Sequence, residues 1–139
     1  TSSHKNLAEL SEEEIVAEVT TQADKLSAIT GLTKFLVRPP YLSVNETVMK
    51  TVQAPLINCA IDSKDWAGAT AEEIINTIST QKTDGAIILM HETYDSTATA
   101  VETLVPQLVA EGWQIVSVSE LFKAKGLELK NGQVYSYAG

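Results

Sequence analysis

Two apolar runs, Pro55-Leu56-Ile57-Asn58-Cys59-Ala60-Ile61 and Gly85-Ala86-Ile87-Ile88-Leu89-Met90, restrict what this chain can fold into. Neither alternates apolar with polar positions, so each reads as a strand buried on both faces, the pattern of a parallel sheet covered by helices. Phe35-Leu36-Val37 and Trp113-Gln114-Ile115-Val116-Ser117-Val118 read as two further strands. Helical periodicity fills the stretches between them. That alternation predicts the α/β class with a parallel sheet.

Cap signals mark where the helices begin. Ser11 with Glu14, and Thr70 with Glu73, have the spacing at which a hydroxyl and a carboxylate satisfy each other's free backbone N–H groups. The first helix carries Ile15, Val19, Gln22, Leu26 and Ile29 on one side and stops at Gly31. Asn45 is placed to cap a short helix through Thr51, and Ile74, Ile75 and Ile78 form the inward face of the next. Ser96 or Thr97 opens a longer helix carrying Val101, Leu104, Leu108 and Val109, with Pro106 expected at a kink or in an early turn and Gly112 ending it. A last helix starts at Ser119 and stops at Gly126, and the tail beyond it reads as turns.

A chain of 139 residues has room for one domain with a sizeable core. Its net charge of −8 excludes a nucleic-acid partner, because there is no basic stripe to neutralise phosphates and release counterions. No apolar stretch approaches the roughly 20 residues of a membrane span, and the start carries no signal-peptide pattern. The one cysteine, Cys59, lies inside an apolar run and is expected to pack as a small core residue.

The chemistry gathers at the ends of the strand-like runs. Arg38-Pro39-Pro40-Tyr41 follows the first, Asp62-Ser63-Lys64-Asp65-Trp66 the second, and His91 closes Leu89-Met90-His91 after the third. In parallel sheets that C-terminal edge is where ligands bind and catalytic groups collect. A histidine there can give or take a proton near neutral pH, and a carboxylate beside it would orient the ring. Arg38 suits pairing with a carboxylate, and the two prolines hold the approach of Tyr41 rigid.

In this order and spacing, the motifs resemble those of the polysaccharide deacetylases of carbohydrate esterase family 4. Arg38 to Tyr41 is similar to the family's third motif, Asp62 to Trp66 to its fourth (D-x-x-D-W), and Leu89-Met90-His91 to its fifth (L-x-H). Thr1-Ser2-Ser3-His4 is similar to the last four residues of the second motif, H-[ST]-x-x-H. Leu42 stands where Gly often follows the Tyr, and Glu92 where Asp often follows the His. The resemblance covers nearly the whole chain. It implies that residues 1–139 are the C-terminal portion of a single deacetylase domain, with the T-F-D-D motif and one metal-binding His upstream.

The implied fold is an irregular (β/α) barrel, incomplete in this chain. The implied function is metal-dependent hydrolytic deacetylation of an acetylated polysaccharide, either O-acetyl xylan or an N-acetylglucosamine polymer, active only with the N-terminal segment. By the same resemblance His91 is the general acid, Asp65 tunes it, and Arg38 holds a catalytic Asp from the upstream motif. The Tyr41 backbone N–H stabilises the oxyanion, Trp66, Leu89 and Tyr41 line the substrate groove, and His4 is a metal ligand. Asp62 is mainly structural.

The implied cofactor is a divalent ion, zinc first, with cobalt or nickel as substitutes. The implied partners are an acetylated polysaccharide or oligosaccharide and the N-terminal segment, in the same or a separate polypeptide. The implied location is extracellular or at the cell surface. The acidic charge tilts the substrate towards acetylated xylan or short chitooligosaccharides rather than an anionic cell wall. The competing expectation is a non-catalytic carbohydrate-binding or interaction module derived from the same fold.

Overall fold

A computed structural model describes residues 1–139. It contains four short strands, β1 (Leu56–Ile57), β2 (Ile61–Asp62), β3 (Ile88–Leu89) and β4 (Val134–Tyr135). Five α-helices accompany them: α1 (Glu12–Thr30), α2 (Glu46–Thr51), α3 (Ala71–Gln81), α4 (Asp95–Ala110) and α5 (Val118–Ala124). The chain divides into two compact units, residues 1–58 with 128–135 and residues 59–127 with 136–139. No helix is long and apolar enough to cross a membrane.

In the first unit, α1 starts with the Ser11–Glu14 capping box, and the acidic side chains of its first turn suit the helix dipole. It ends at Gly31, whose φ of 72° is open to glycine without a Cβ penalty. Only the N-terminal end of its apolar side enters a core. Ile15 is buried with Leu7, Val48, Val52, Ala54 and Leu56, whereas Ile29 is 82% exposed. The Asn45 side chain accepts from Val48 N and starts α2, as its position predicts.

β1 runs parallel to β4, pairing Leu56 with Val134 and Ile57 with Tyr135. Val37 joins the other side of β1 through a single bridge. The run 35–37 therefore contributes one rung rather than a strand, and the tail expected to be turns supplies a strand instead.

In the second unit β2 and β3 pair in parallel, Ile61 with Ile88 and Asp62 with Leu89. The long run 55–61 is thus not one strand. It breaks between β1 and β2, where Asn58 N donates to Tyr135 O and Ala60 N donates to Ile87 O. Cys59, in the break, is half-buried rather than a core residue.

α3 opens with the Thr70–Glu73 capping box and packs on α4. Their facing sides bury Ile74, Ile78, Ala100, Leu104 and Leu108 over Ile61. Each of the Ile and Leu side chains among them contributes about 1.5–3 kcal/mol of burial free energy. α4 is continuous through Pro106.

Residues 113–117 are a correction to the sequence reading. They form no ladder, and Ile115 and Val116 are 53% and 38% exposed. Strand propensity is too weak to hold a strand that lacks a pairing neighbour. Trp113 alone packs against the α3–α4 core. α5 then starts at Val118, because Ser117 and Glu120 form a third capping box.

The tail closes against Gly85. Ala138 N donates to Gly85 O at 2.9 Å and the Tyr137 hydroxyl donates to Asp84 O at 2.6 Å. Gly85 has a φ of 98°, and a Cβ there would collide with the carbonyl of Ala138. Replacing Gly85 with Ala is expected to lower stability by about 1–3 kcal/mol and to release the tail. Urea denaturation and amide exchange at Ala138 measure both effects, and unchanged exchange there would refute the role of this contact.

Candidate active site

Parallel pairing of β2 with β3 sets two chain exits side by side, and the polar motifs follow directly from them. After β2, the side chain of Asp62 accepts from Lys64 N at 2.9 Å, holding Lys64 at a φ of 60°. The turn delivers Asp65, which is 1% exposed, to the inside and Trp66, which is 53% exposed, to the surface. After β3 comes His91.

The Asp65 carboxylate then takes four donors. Oδ1 accepts from Trp66 N and lies 2.8 Å from His91 Nδ1. Oδ2 accepts from His91 N at 2.6 Å and from the Thr97 hydroxyl at 2.8 Å. Burial pushes the Asp65 carboxyl up, and the donors His91, Thr97 and Trp66 outweigh it, so it is held below its ordinary value. An ionised carboxylate has no proton to give, so His91 Nδ1 must be the donor. Nε2 is thereby left as the nitrogen that takes up and releases a proton. The His91 side chain is 29% exposed, which keeps it within reach of a ligand. The ring of Tyr94 meets it edge-on at 6.0 Å.

Asp62 serves the rim of the same loop. It pairs with Lys64 Nζ at 2.7 Å and accepts from the Trp66 indole N–H at 3.1 Å, while Lys64 Nζ sits 5.1 Å from the Trp66 ring centre. Burial raises the Asp62 carboxyl, but Lys64 and Trp66 bring it below the usual range. Leu89, also expected to line the groove, is 7% exposed.

In the first unit, the rings of His4 and Tyr41 meet at 5.4 Å in a T-shaped contact. Both residues have positive φ, 60° and 58°, as does Leu42. Such backbone in non-glycine residues costs on the order of 1 kcal/mol each and is held only where the surroundings impose it. At Tyr41 and Leu42 the turn after Pro39 imposes it, with bonds from Leu42 N to Pro39 O and from Ser43 N to Pro40 O. The N–H of Tyr41 is not used by either. Arg38 is exposed and forms no ion pair.

Two contributors escaped the sequence reading. Glu18 of α1 takes the backbone N–H and hydroxyl of Ser3, and its carbonyl takes Ser2 N, tying the segment that carries His4 to the helix. Thr97, expected as a cap, lies inside the first turn of α4 and gives its hydroxyl to Asp65. Nothing in the local sequence separates a capping threonine from one that reaches a carboxylate 32 residues away.

A divalent metal is the cofactor the motif resemblance implies. No three His, Cys, Asp or Glu side chains converge anywhere in the chain, and His4 is exposed with only the Tyr41 ring beside it. A catalytic zinc normally takes three protein ligands and an open position. The residues of this chain do not by themselves fit one.

Comparison with known proteins gives a consistent picture. Residues 1–56 match the model of the family described as polysaccharide deacetylase. The peptidoglycan-N-acetylglucosamine deacetylase PgdA of Listeria monocytogenes is 30% identical over 95% of this chain, which spans 28% of that protein. A bifunctional xylanase/deacetylase of Pseudobutyrivibrio xylanivorans is 29% identical over 89% of the chain, which spans 21% of it. Among solved structures, a family 4 acetyl xylan esterase from Clostridium thermocellum in complex with a cobalt ion superposes with a TM-score of 0.88. It is 25% identical, and the match covers 97% of this chain and 68% of that one. The chain thus spans under a third of the length of each of these two curated relatives, and its fold is that of the deacetylases' irregular (β/α) barrel.

Replacing Asp65 with Asn exchanges an acceptor oxygen for an NH2 that faces donors, and is expected to cost about 2–4 kcal/mol. In the unmodified protein the folded-state value of Asp65 lies below that of the unfolded chain. Its stabilisation is therefore complete above the unfolded value near about 3.9 and is lost as pH falls through the folded one. Urea denaturation from pH 7 down to pH 3 should show this acid loss in the unmodified protein and a flatter profile in Asp65→Asn. Equal profiles would mean that Asp65 is not held ionised.

Proposed function

We propose that this chain, which belongs to the polysaccharide deacetylases of carbohydrate esterase family 4, carries the proton-donating side of a site that hydrolyses acetyl groups from an acetylated polysaccharide. The carrying observation is the 2.8 Å contact between His91 Nδ1 and a buried Asp65. In this reading Asp65 fixes the ring, and His91 Nε2 delivers a proton to the departing sugar nitrogen or oxygen. That proton transfer lets the tetrahedral intermediate collapse to acetate.

The remaining residues take supporting roles in the same proposal. The N–H of Tyr41, left unused by its turn, is suited to the oxyanion. The exposed Trp66 offers a flat face to a sugar ring, held in place by Asp62 and backed by Lys64. Leu89 is the apolar wall of the acetyl site. Arg38, exposed and unpaired, is free to hold a carboxylate supplied from elsewhere in the domain, and His4 is one ligand of a divalent ion. Such an ion, if held by His4 together with ligands from elsewhere in the domain, would supply polarisation of the acetyl carbonyl and activation of water. Zinc suits a histidine-containing ligand set, and cobalt can replace it.

A single His cannot hold such an ion, so the proposal extends to residues 1–139 being one portion of a deacetylase domain. The missing ligands then come from a further segment of that domain, in the same or a separate polypeptide. The unpaired stretch 113–117 offers that segment an edge to pair with. The substrate is a xylan bearing O-acetyl groups or an N-acetylglucosamine polymer, which puts the protein outside the cell or at its surface.

Two measurements test this reading. The 139-residue chain alone is expected to hold no stoichiometric zinc by mass spectrometry of metals and to release no acetate. Together with the ligand-bearing segment it should release acetate from acetyl-xylan, chitooligomers or peptidoglycan, and the rates rank the substrates. In that active form His91→Asn should lower kcat by about 10²–10⁴-fold with an unchanged circular dichroism spectrum. A His91→Asn variant of full activity would overturn the assignment.

A further inference from the structure

The helices of this chain use their hydroxyl residues in two ways. α1, α3 and α5 each open on a capping box, with Ser11, Thr70 and Ser117 accepting from the N3 backbone. α4 does not. Its cap position is Tyr94, which makes no side-chain cap, although Ser96 and Thr97 stand within its first turn. The Thr97 backbone N–H is satisfied by Tyr94 O at 3.0 Å, so the helix makes no demand on its hydroxyl. That hydroxyl, on a residue 4% exposed, instead donates to Asp65 Oδ2 at 2.8 Å.

The consequence follows from counting donors. Each oxygen of Asp65 takes two, so neither is spare and the carboxylate has one rotation about its side chain that satisfies all four. Trp66 N and His91 N come from rigid backbone. His91 Nδ1 belongs to a ring that has to be held by the carboxylate, and so cannot itself hold it. Thr97 is the one donor that comes from a separate packed helix, whose next turns bury Ala100 and Leu104 in the α3–α4 core. Without it Oδ2 keeps a single donor in a site closed to water.

We infer that Thr97 is a positioning residue of the His91–Asp65 pair: its hydroxyl locks the Asp65 carboxylate in the rotation that aims Oδ1 at His91 Nδ1. It thereby selects the ring tautomer that leaves Nε2 to carry the mobile proton. Thr97 also works against the cost of burying an ionised carboxylate, one of the groups that hold Asp65 below its ordinary value. The groups that face Asp65 are His91 from the end of β3, Trp66 from its own turn and Thr97 from α4, and His91 is the only titratable one among them. The catalytic consequence rests on the deacetylase reading above. The structural one does not.

The test is the imidazole nitrogen spectrum of the full chain labelled with 15N-histidine, with His4→Gln used to assign the His91 signals. The unmodified protein and Thr97→Ser should show the Nδ1–H tautomer at neutral pH. Thr97→Val, which removes the hydroxyl at nearly constant shape, should lose that preference and shift towards Nε2–H. Should the valine variant not fold, Thr97→Ala against Thr97→Ser provides the same comparison.

In the active form the valine variant should also lower kcat on the order of ten-fold with KM unchanged, and serine should restore it. An unaltered Nδ1–H signal in Thr97→Val would overturn the inference even if His91 proves essential. A lost signal would sustain it even if no deacetylation is found.

Discussion

A buried carboxylate that accepts four hydrogen bonds is the constraint on which the second unit depends. Asp65 is closed to solvent, so its charge is tolerable only while every lone pair it presents is answered. The donors come from its own turn, from His91 two residues past β3 and from α4, elements that otherwise meet mainly through apolar packing. Apolar contact is non-directional and tolerates small slips. Four hydrogen bonds to one carboxylate do not. They fix the turn at Asp62–Trp66, the exit of β3 and the first turn of α4 to one arrangement, and the only one of the four donors that titrates is the partly exposed His91 ring.

The same economy explains the exposed half of the loop. Asp62 binds the Lys64 backbone, the Lys64 ammonium and the Trp66 indole, so the loop that buries one Asp uses the other to hold its tip. Lys64 and Trp66 owe their positions to this, one at positive φ and the other with an open aromatic face. On the first unit, a comparable concentration of unusual backbone at His4, Tyr41 and Leu42 is imposed by Pro39-Pro40 and by the anchoring of Ser2 and Ser3 to Glu18. Strain of this kind persists only where neighbours over-determine it, and here it falls within the motifs rather than between them.

Several features of both fold and site were legible from residues alone. The capping boxes at Ser11 and Thr70 follow from local chemistry, and the helices began there. His91 and the pair Asp62 and Asp65 were visible as polar groups just past apolar runs, and the family resemblance, not their position alone, singled out Asp65 as the partner of His91. What was not legible has one cause. The run 55–61 reads as a single strand because its hydropathy is continuous, yet its ends take different partners and it breaks at Asn58–Ala60. The run 113–118 has equal strand character and no partner, so it forms no strand. Val134 and Tyr135 have little pattern around them, yet they pair with β1.

The sequence by itself determined that helices occupy these stretches, the capped starts at Ser11, Asn45 and Thr70, the stop at Gly31, and the placing of chemistry-bearing residues just after apolar runs. Those depend on contacts within four residues of one another, or on the alternation of apolar and polar side chains, and both are written in order along the chain. The tertiary structure decided which apolar runs became strands, because a strand exists only through hydrogen bonds to a neighbour. It also decided that Thr97 serves Asp65 rather than its own helix. A hydroxyl bonds whatever acceptor is nearest in space, and only the pairing of β2 with β3 and the packing of α4 bring a carboxylate from 32 residues away within its reach.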